Sequence, residues 1–195
     1  MRKTYLLIFV VFLLAACGSR VSHMVVPDYA KKAIRLVVLM PVENRTNDRT
    51  AARMLREKMV DELYFKGYPK IPLDVIDAKL LKISQGGTSA TGGNISPQTI
   101  GALLEVDAVM YCTLNESNAS LHFFYAPTSV SASCELRNAK TGETLWNARS
   151  DIVERNYGYS RYDVGRKASQ VYESSIQGVI NKMMGTLPDG PDLSG

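Results

Sequence analysis

Few side chains in this sequence have the types and spacing that enzymatic chemistry requires. The two histidines, His23 and His122, do not form a pair with the spacing of metal ligands. No Gly-x-Ser-x-Gly segment places a serine on a nucleophile elbow. The glycines within residues 83–97 have neither the lysine of a phosphate-binding loop nor a Gly-x-Gly-x-x-Gly turn. The sequence therefore predicts no catalytic residue, no metal site and no cofactor.

Cys17 has the clearest chemical role, because of the residues that precede it. Arg2 and Lys3 give the amino-terminal region a positive charge, and residues 5–16 are all apolar or aromatic. Those 12 residues would extend about 18 Å as a helix. A membrane span needs about 20 residues, so this run is too short to be one. The pattern predicts a secretory signal peptide over residues 1–16.

The end of that apolar run, Leu14-Ala15-Ala16-Cys17, matches the lipobox of bacterial lipoproteins at all four positions. The motif implies a diacylglycerol on the Cys17 thiol, cleavage before Cys17, and an acyl chain such as palmitate on the new amino group. Gly18 follows Cys17, in place of the aspartate associated with inner-membrane retention. The resemblance thus implies a lipid anchor in the outer membrane, on its periplasmic side. An ordinary signal peptide with an accidental cysteine is the alternative.

The other two cysteines, Cys112 and Cys134, fall in two predicted strands. In both strands, alternation places the thiol on the apolar face. The side chains on the opposite face of the second strand are Ser129, Ser131, Ser133 and Glu135. In an oxidising periplasm the two thiols could form a disulfide. They could equally remain two small buried hydrophobic side chains.

The charge of the chain gives no support for a nucleic-acid partner. There are 23 Lys and Arg residues and 19 Asp and Glu residues, with a sequence pI of about 8.9. Removal of the signal peptide takes Arg2 and Lys3 with it, which leaves the mature chain nearly neutral. No basic run with interleaved aromatic residues is present. We therefore expect no nucleic-acid partner.

Hydrophobic periodicity predicts one α/β domain over residues 33–185. The predicted elements are a strand at 33–41, helices at 50–66, 74–82 and 97–104, a strand at 106–114, an antiparallel hairpin of 128–137 and 144–153, and a long helix at 164–183. This order predicts a mixed β-sheet packed by helices. Residues 17–32 are expected to be the lipidated cysteine and a tether, and residues 186–195 a disordered tail.

Two aromatic clusters are candidates for contact with a partner. One is residues 121–128, and the other comprises Tyr157, Tyr159, Arg161 and Tyr162 in the connection to the last helix. Tyrosine and arginine are enriched at interface hot spots, so the second cluster is the candidate partner surface. Local packing over the end of the sheet is the alternative.

The segment "IRLVVLMPVENRTND" followed by a helix resembles the opening of TolB amino-terminal-like and CsgG-like envelope domains. Pro41, Val42, Glu43 and Asn44 occupy the Pro-hydrophobic-x-Asn turn of those domains. Residues 14–185 more closely resemble an uncharacterised family of bacterial outer-membrane lipoproteins with such a domain. That resemblance rests on the lipobox, "PVENRT", the Gly-rich loop before "SPQTIG", and "DAVMY".

The resemblance implies a TolB amino-terminal-domain-like α/β fold and a non-catalytic role. It implies an assembly or accessory factor of an envelope or secretion complex, attached to the membrane through its amino-terminal lipid. The expected partner is an envelope protein, with a CsgG-like lipoprotein as one candidate, or another copy of the chain. The alternatives are an activator of a cell-wall synthase, and a small-ligand-binding protein or enzyme.

Overall fold

The computed structural model of the chain describes residues 21–85, 95–119, 125–157 and 160–191. Within them the strands are Ser22–Val25 (β1), Val37–Leu39 (β2), Glu43–Asn44 (β3), Ala108–Ala119 (β4), Tyr125–Asn138 (β5) and Thr144–Tyr157 (β6). The α-helices are Arg49–Phe65 (α1), Leu73–Gln85 (α2), Pro97–Leu104 (α3) and Arg161–Met184 (α4), and a short 3-10 helix covers Tyr29–Lys32. The predicted single α/β domain, with its antiparallel hairpin and long carboxyl-terminal helix, is confirmed.

The strands form one mixed sheet in the order β1-β6-β5-β4-β2, with β3 also paired to β4. β2 and β3 lie parallel to β4, as expected where a helix connects neighbouring strands. The pairs β4–β5, β5–β6 and β6–β1 are antiparallel. Consequently β2, β4 and β6 all run in the same direction, and β1 runs against them.

The two faces of the sheet are covered to different extents. On one face, α1 and α4 pack across the strands through residues such as Leu55 and Ile180, which are fully buried. On the other face, Ile76 of α2 and Ile100 of α3 pack against β2 and the start of β4. The all-apolar strand β2 is therefore buried on both sides, as its continuous hydrophobic run predicts.

Asp48 joins three elements at one end of the domain. Its carboxylate caps α1 by accepting a hydrogen bond of 2.9 Å from the Ala51 N–H. It also accepts hydrogen bonds from the Ser117 hydroxyl of β4, at 3.3 Å, and from the Tyr172 hydroxyl of α4. Burial alone would raise the pKa of Asp48, but these donors hold the pKa below its usual value. Burial and the adjacent carboxylate raise the pKa of Tyr172 to about 12.

The predicted tether over residues 17–32 is wrong from Ser22 onward. Ser22–Val25 is the edge strand β1, paired with Trp146–Arg149 of β6. Tyr29 follows in the 3-10 helix, and its side chain is buried in the core. Edge pairing and one buried tyrosine therefore order a segment that has no periodicity of its own. Of the predicted tether, residues 22–32 therefore belong to the folded domain.

The predicted disordered tail also begins too early. After α4, Leu187 is buried. The Trp146 indole Nε1–H donates to the Thr186 hydroxyl at 3.0 Å, and the Tyr68 hydroxyl donates to the Pro188 carbonyl at 3.0 Å. The Gly190 N–H donates to the Lys66 carbonyl at 2.6 Å. These contacts fix residues 186–190 against the domain.

Candidate functional site

Two tyrosines from the predicted aromatic clusters meet at one end of the β5–β6 hairpin. Tyr125, the first residue of β5, lies opposite Tyr157, the last residue of β6, and their ring centroids are 6.2 Å apart. Tyr157 is 64% exposed, and Tyr162 in the first turn of α4 is 83% exposed. Tyr159 and the Arg161 side chain lie outside the described residues. The role of this set as a partner surface stays a prediction.

Cys112 and Cys134 lie directly opposite each other in the β4–β5 ladder, on the face covered by α1 and α4. Their Cα atoms are 4.1 Å apart, and a disulfide joins the two sulfurs. Both residues are almost fully buried. Cys17, the predicted site of lipid attachment, lies outside the described residues.

The second face of the sheet is left uncovered by the described helices over β5, β6 and β1. The alternation of β5 places its serines and Glu135 on this face, and β6 contributes Asn147 and Arg149. The segment Pro41–Arg45 and the start of α3 form a rim on the far side. Together they enclose an open groove of about 820 Å³ with a largely polar lining.

Most charges in the groove neutralise each other. Arg137 donates to the Glu135 carboxylate at 2.7 Å, and the Thr144 hydroxyl donates to the same carboxylate. Burial alone would raise the pKa of Glu135, but these two donors hold it below its usual value. The Arg137 guanidinium also lies 5.7 Å from the centre of the Tyr111 ring, within cation–π range. Burial raises the pKa of the Tyr111 hydroxyl to about 12, so that it remains neutral.

Arg149 differs from the other groove cations. On the rim, Arg45 pairs with Glu43 at 3.0 Å. Arg149 is exposed and, among the residues that the structure describes, has no ion-pair partner. It lies opposite Ser133 on one side and Ser22 of β1 on the other. The groove therefore offers one uncompensated positive charge on a floor of small polar side chains.

The groove and its arginines could not be recognised from the sequence. The alternation in β5 predicted which side chains point away from the core. It gave no sign that α2 and α3 stop short of β5 and β6 on the second face, because helix placement depends on tertiary packing. Arg137 lies in β5 and Arg149 in β6, and neither belongs to a recognisable motif. Only the register of the two strands shows that both side chains lie in the same groove.

In the part of the chain that the structure describes, no group of three histidine, cysteine or acidic side chains is placed to hold a metal ion. His23 is exposed, and its Nδ1 lies 3.1 Å from the Val21 carbonyl oxygen. None of the described helices combines the length and apolar composition needed to cross a bilayer.

Solved structures with a similar fold include bacterial proteins. The lipoprotein GNA1162 of Neisseria meningitidis aligns with a TM-score of 0.55 and 20% identity, over 72% of this chain and 96% of that one. The PelC dodecamer of Paraburkholderia phytofirmans aligns with a TM-score of 0.52 and 16% identity, over 85% and 98%. At these identities the similarity establishes the fold alone. The carboxyl-terminal domain of LpoB from Escherichia coli, at 0.47 and 17% over 66% and 94%, carries no argument.

No curated protein sequence matches the chain. A family model described as "Putative lipoprotein GNA1162-like" matches residues 28–192, which include every described element from the 3-10 helix to the end of α4. This span is most of the chain and confirms the predicted relationship to a bacterial lipoprotein family. The chain belongs to the GNA1162-like lipoprotein family.

Proposed function

We propose that the protein is a lipid-anchored, non-catalytic assembly or accessory factor of an envelope or secretion complex. The observation that carries this proposal is the position of Cys17. It ends a complete lipobox, in a member of a lipoprotein family, five residues ahead of the first strand of the domain. Because each buried methylene contributes about 0.8 kcal/mol, two or three acyl chains on Cys17 anchor the domain without a membrane-spanning helix.

The proposed location is the outer membrane, with the domain on the periplasmic side. Gly18 after Cys17 supports this location, because an aspartate at that position is associated with inner-membrane retention. A replacement of Gly18→Asp should therefore move the protein to the inner-membrane fraction. Ser19→Ala, which leaves both Cys17 and Gly18 in place, is the matched control and should not change the fraction.

The anchor itself is tested by Cys17→Ala. We expect this variant to remain an uncleaved precursor that lacks the lipid, as measured by the intact mass of protein isolated from membranes. Ser19→Ala again provides the control and should have the mass of the mature lipidated chain. An unchanged mass for Cys17→Ala would contradict the lipid anchor.

The uncovered sheet face is the proposed place of contact with a protein. Most charged side chains on this face form ion pairs with each other. Such a face suits a polar protein interface better than an active site, which needs unpaired charges to stabilise the charge that forms on a substrate. The partner is an envelope protein, with a CsgG-like lipoprotein as one candidate, or a further copy of this chain. Self-association has some support, since the solved neighbour PelC is a dodecamer.

Photo-crosslinking in intact envelopes tests this face. A crosslinking residue at Arg149 is expected to give a defined adduct, whose mass identifies either another copy or a different protein. The control position is Arg53, which is exposed on α1, far from the groove. Equal crosslinking at both positions, or none at Arg149, would contradict the proposed contact.

A small anionic ligand is the second candidate occupant of the groove, because Arg149 lacks a counter-charge among the described residues. The crosslinking experiment distinguishes the two candidates. A protein partner gives an adduct of protein size at position 149, whereas a small anion in the groove gives no such adduct. No described feature specifically favours an activator of a cell-wall synthase.

A further inference from the structure

We propose that one end of the domain lies against the lipid headgroups of the membrane that holds the Cys17 lipid. This end, here called the tyrosine end, consists of Tyr125, Val153, Tyr157 and Tyr162. The inference rests on the proposed lipid at Cys17 and specifies how the anchored domain is oriented. It identifies the membrane surface itself as the partner of these side chains.

The direction of β1 is the first support. β1 runs antiparallel to β6, with Val25 opposite Trp146 and Ser22 opposite Arg149. Beyond Arg149, β6 continues for eight residues to Tyr157. At Ser22, the direction toward the amino terminus therefore points to the tyrosine end.

The length of the connection is the second support. Ser22 is five residue steps after Cys17, and five steps of extended chain cover about 17 Å at 3.4 Å per residue. The stretch of β6 from Arg149 to Tyr157 covers about 27 Å by the same measure. Measured back along the line of β1 toward the tyrosine end, Cys17 therefore reaches no further than about 10 Å short of Tyr157. A lipid at Cys17 can enter the bilayer in that direction only if the tyrosine end meets the headgroups.

The chemistry of the exposed side chains is the third support. Val153 is 58% exposed and lies on the same face of the hairpin as Tyr125 and Tyr157. Tyr162 follows at the start of α4. Tyrosine is enriched at membrane–water interfaces, where the ring contacts apolar groups and the hydroxyl remains hydrated. A surface of this composition fits a headgroup layer without the need for a strongly basic patch.

A second exposed aromatic pair provides a contrast. Tyr64 and Phe65 end α1, with ring centroids 6.0 Å apart. The next residue, Lys66, accepts a hydrogen bond from Gly190, close to Thr186, which bonds to Trp146 at the start of β6. This pair therefore lies at the opposite end of the sheet, away from the direction of Cys17. It has similar exposure and is a matched control.

The test uses the full lipidated protein in vesicles of phosphatidylethanolamine and phosphatidylglycerol. An environment-sensitive fluorophore is attached to Arg155→Cys, between Val153 and Tyr157, or to Phe65→Cys at the opposite end. Unsubstituted protein gives the background labelling of the native cysteines. We expect emission from the label at position 155 to shift to shorter wavelength and to be largely lost when the vesicles contain headgroup-spin-labelled lipid. The label at position 65 should show neither effect.

Two further variants separate a direct role of the tyrosines from proximity. Tyr157→Ala with Tyr162→Ala should reduce the quenching at position 155 severalfold, whereas Tyr64→Ala with Phe65→Ala should leave it unchanged. Equal quenching at positions 155 and 65 would overturn the inference. So would a wavelength shift at 155 without lipid quenching, which would instead indicate a protein contact.

The intact mass of the protein, which reports whether Cys17 carries lipid, is measured on the same samples. A chain without lipid at Cys17 overturns the proposed function and the inference together. A lipidated chain whose label at position 155 is not quenched overturns the inference alone.

Discussion

The hydroxyl groups of Tyr29 and Tyr68 lie 2.7 Å apart in the core, where they join the segment before β2 to the turn after α1. Tyr68 donates its hydrogen to the Pro188 carbonyl at 3.0 Å, so Tyr29 must be the donor to Tyr68. Burial raises the pKa of both hydroxyls, which keeps them neutral. One chain of hydrogen bonds thus connects the segment before β2 and the segment after α4 to the turn after α1.

Replacement of Tyr68→Phe should lower the free energy of unfolding by about 1–3 kcal/mol, because it leaves the Tyr29 hydroxyl and the Pro188 carbonyl without this partner. Tyr29→Phe removes only one donor and leaves the bond from Tyr68 to Pro188 intact. We expect the smaller cost of about 0.5–1.5 kcal/mol for that variant. Urea denaturation of both variants measures the difference. A larger loss for Tyr29→Phe would contradict this order of donors.

The terminal segments show where prediction from sequence stops. The hairpin, the buried strand β2 and the amphipathic α1 follow from local periodicity, and the structure has all three. β1 has the sequence "SHMV", which lacks alternation, and it is a strand only because β6 supplies the pairing. Leu187 lies among prolines and glycines, and its burial depends on a site formed by distant elements.

The candidate surfaces likewise have one part that the sequence predicts and one part that depends on tertiary structure. The sequence identified both aromatic clusters by composition, and the register shows that Tyr125 of the first lies next to Tyr157 of the second, 32 residues later in the chain. The groove depends on which part of the sheet the helices leave open. No local pattern encodes that, because α2 and α3 are amphipathic whether or not they extend over β5.

The pairing of Cys112 with Cys134 predicts a measurable cross-link. Protein isolated without reductant should yield a peptide pair joined through these residues, as detected by mass spectrometry. Because the bond closes a loop with a sequence separation of 22, its loss in the Cys112→Ala/Cys134→Ala variant should lower the free energy of unfolding by about 3 kcal/mol. Reductant should destabilise the parent and leave the double variant unaffected. Two thiols alkylated under denaturing, non-reducing conditions would contradict the bond.

Asp48 predicts a specific dependence of stability on pH. Its pKa in the folded protein is below its usual value of 3.8, so the contribution of the carboxylate is complete above that value and is lost as the pH falls through the lower folded pKa. Asp48→Asn retains a good helix cap but loses the charge that Tyr172 and Ser117 contact. The parent should therefore be more stable than Asp48→Asn at pH 7, and the gap should narrow below about pH 4.

Thermal unfolding at pH 7 and pH 3 measures that gap. Asp151→Asn, at an exposed position of β6, is the control and should change little at either pH. A gap between the parent and Asp48→Asn that stays constant with pH would show that the charge of Asp48 is not its source, and no gap at pH 7 would show that the carboxylate acts only as a cap.

Gly101 and Gly178 predict opposite effects of the same substitution. A Cβ at Gly101 of α3 would lie 2.6 Å from the Ala139 Cβ and 3.1 Å from its carbonyl oxygen, so the backbone after β5 would have to move. A Cβ at Gly178 of α4 would meet only the terminal methyl of Ile152, which can rotate away. Alanine gains about 1 kcal/mol over glycine inside a helix, whereas overpacking costs about 1–3 kcal/mol. Gly101→Ala should therefore lower the free energy of unfolding by about 1 kcal/mol, and Gly178→Ala should leave it unchanged or raise it. Urea denaturation of the two variants provides the comparison, and a more stable Gly101→Ala would show that α3 can move away from the β5–β6 turn at little cost.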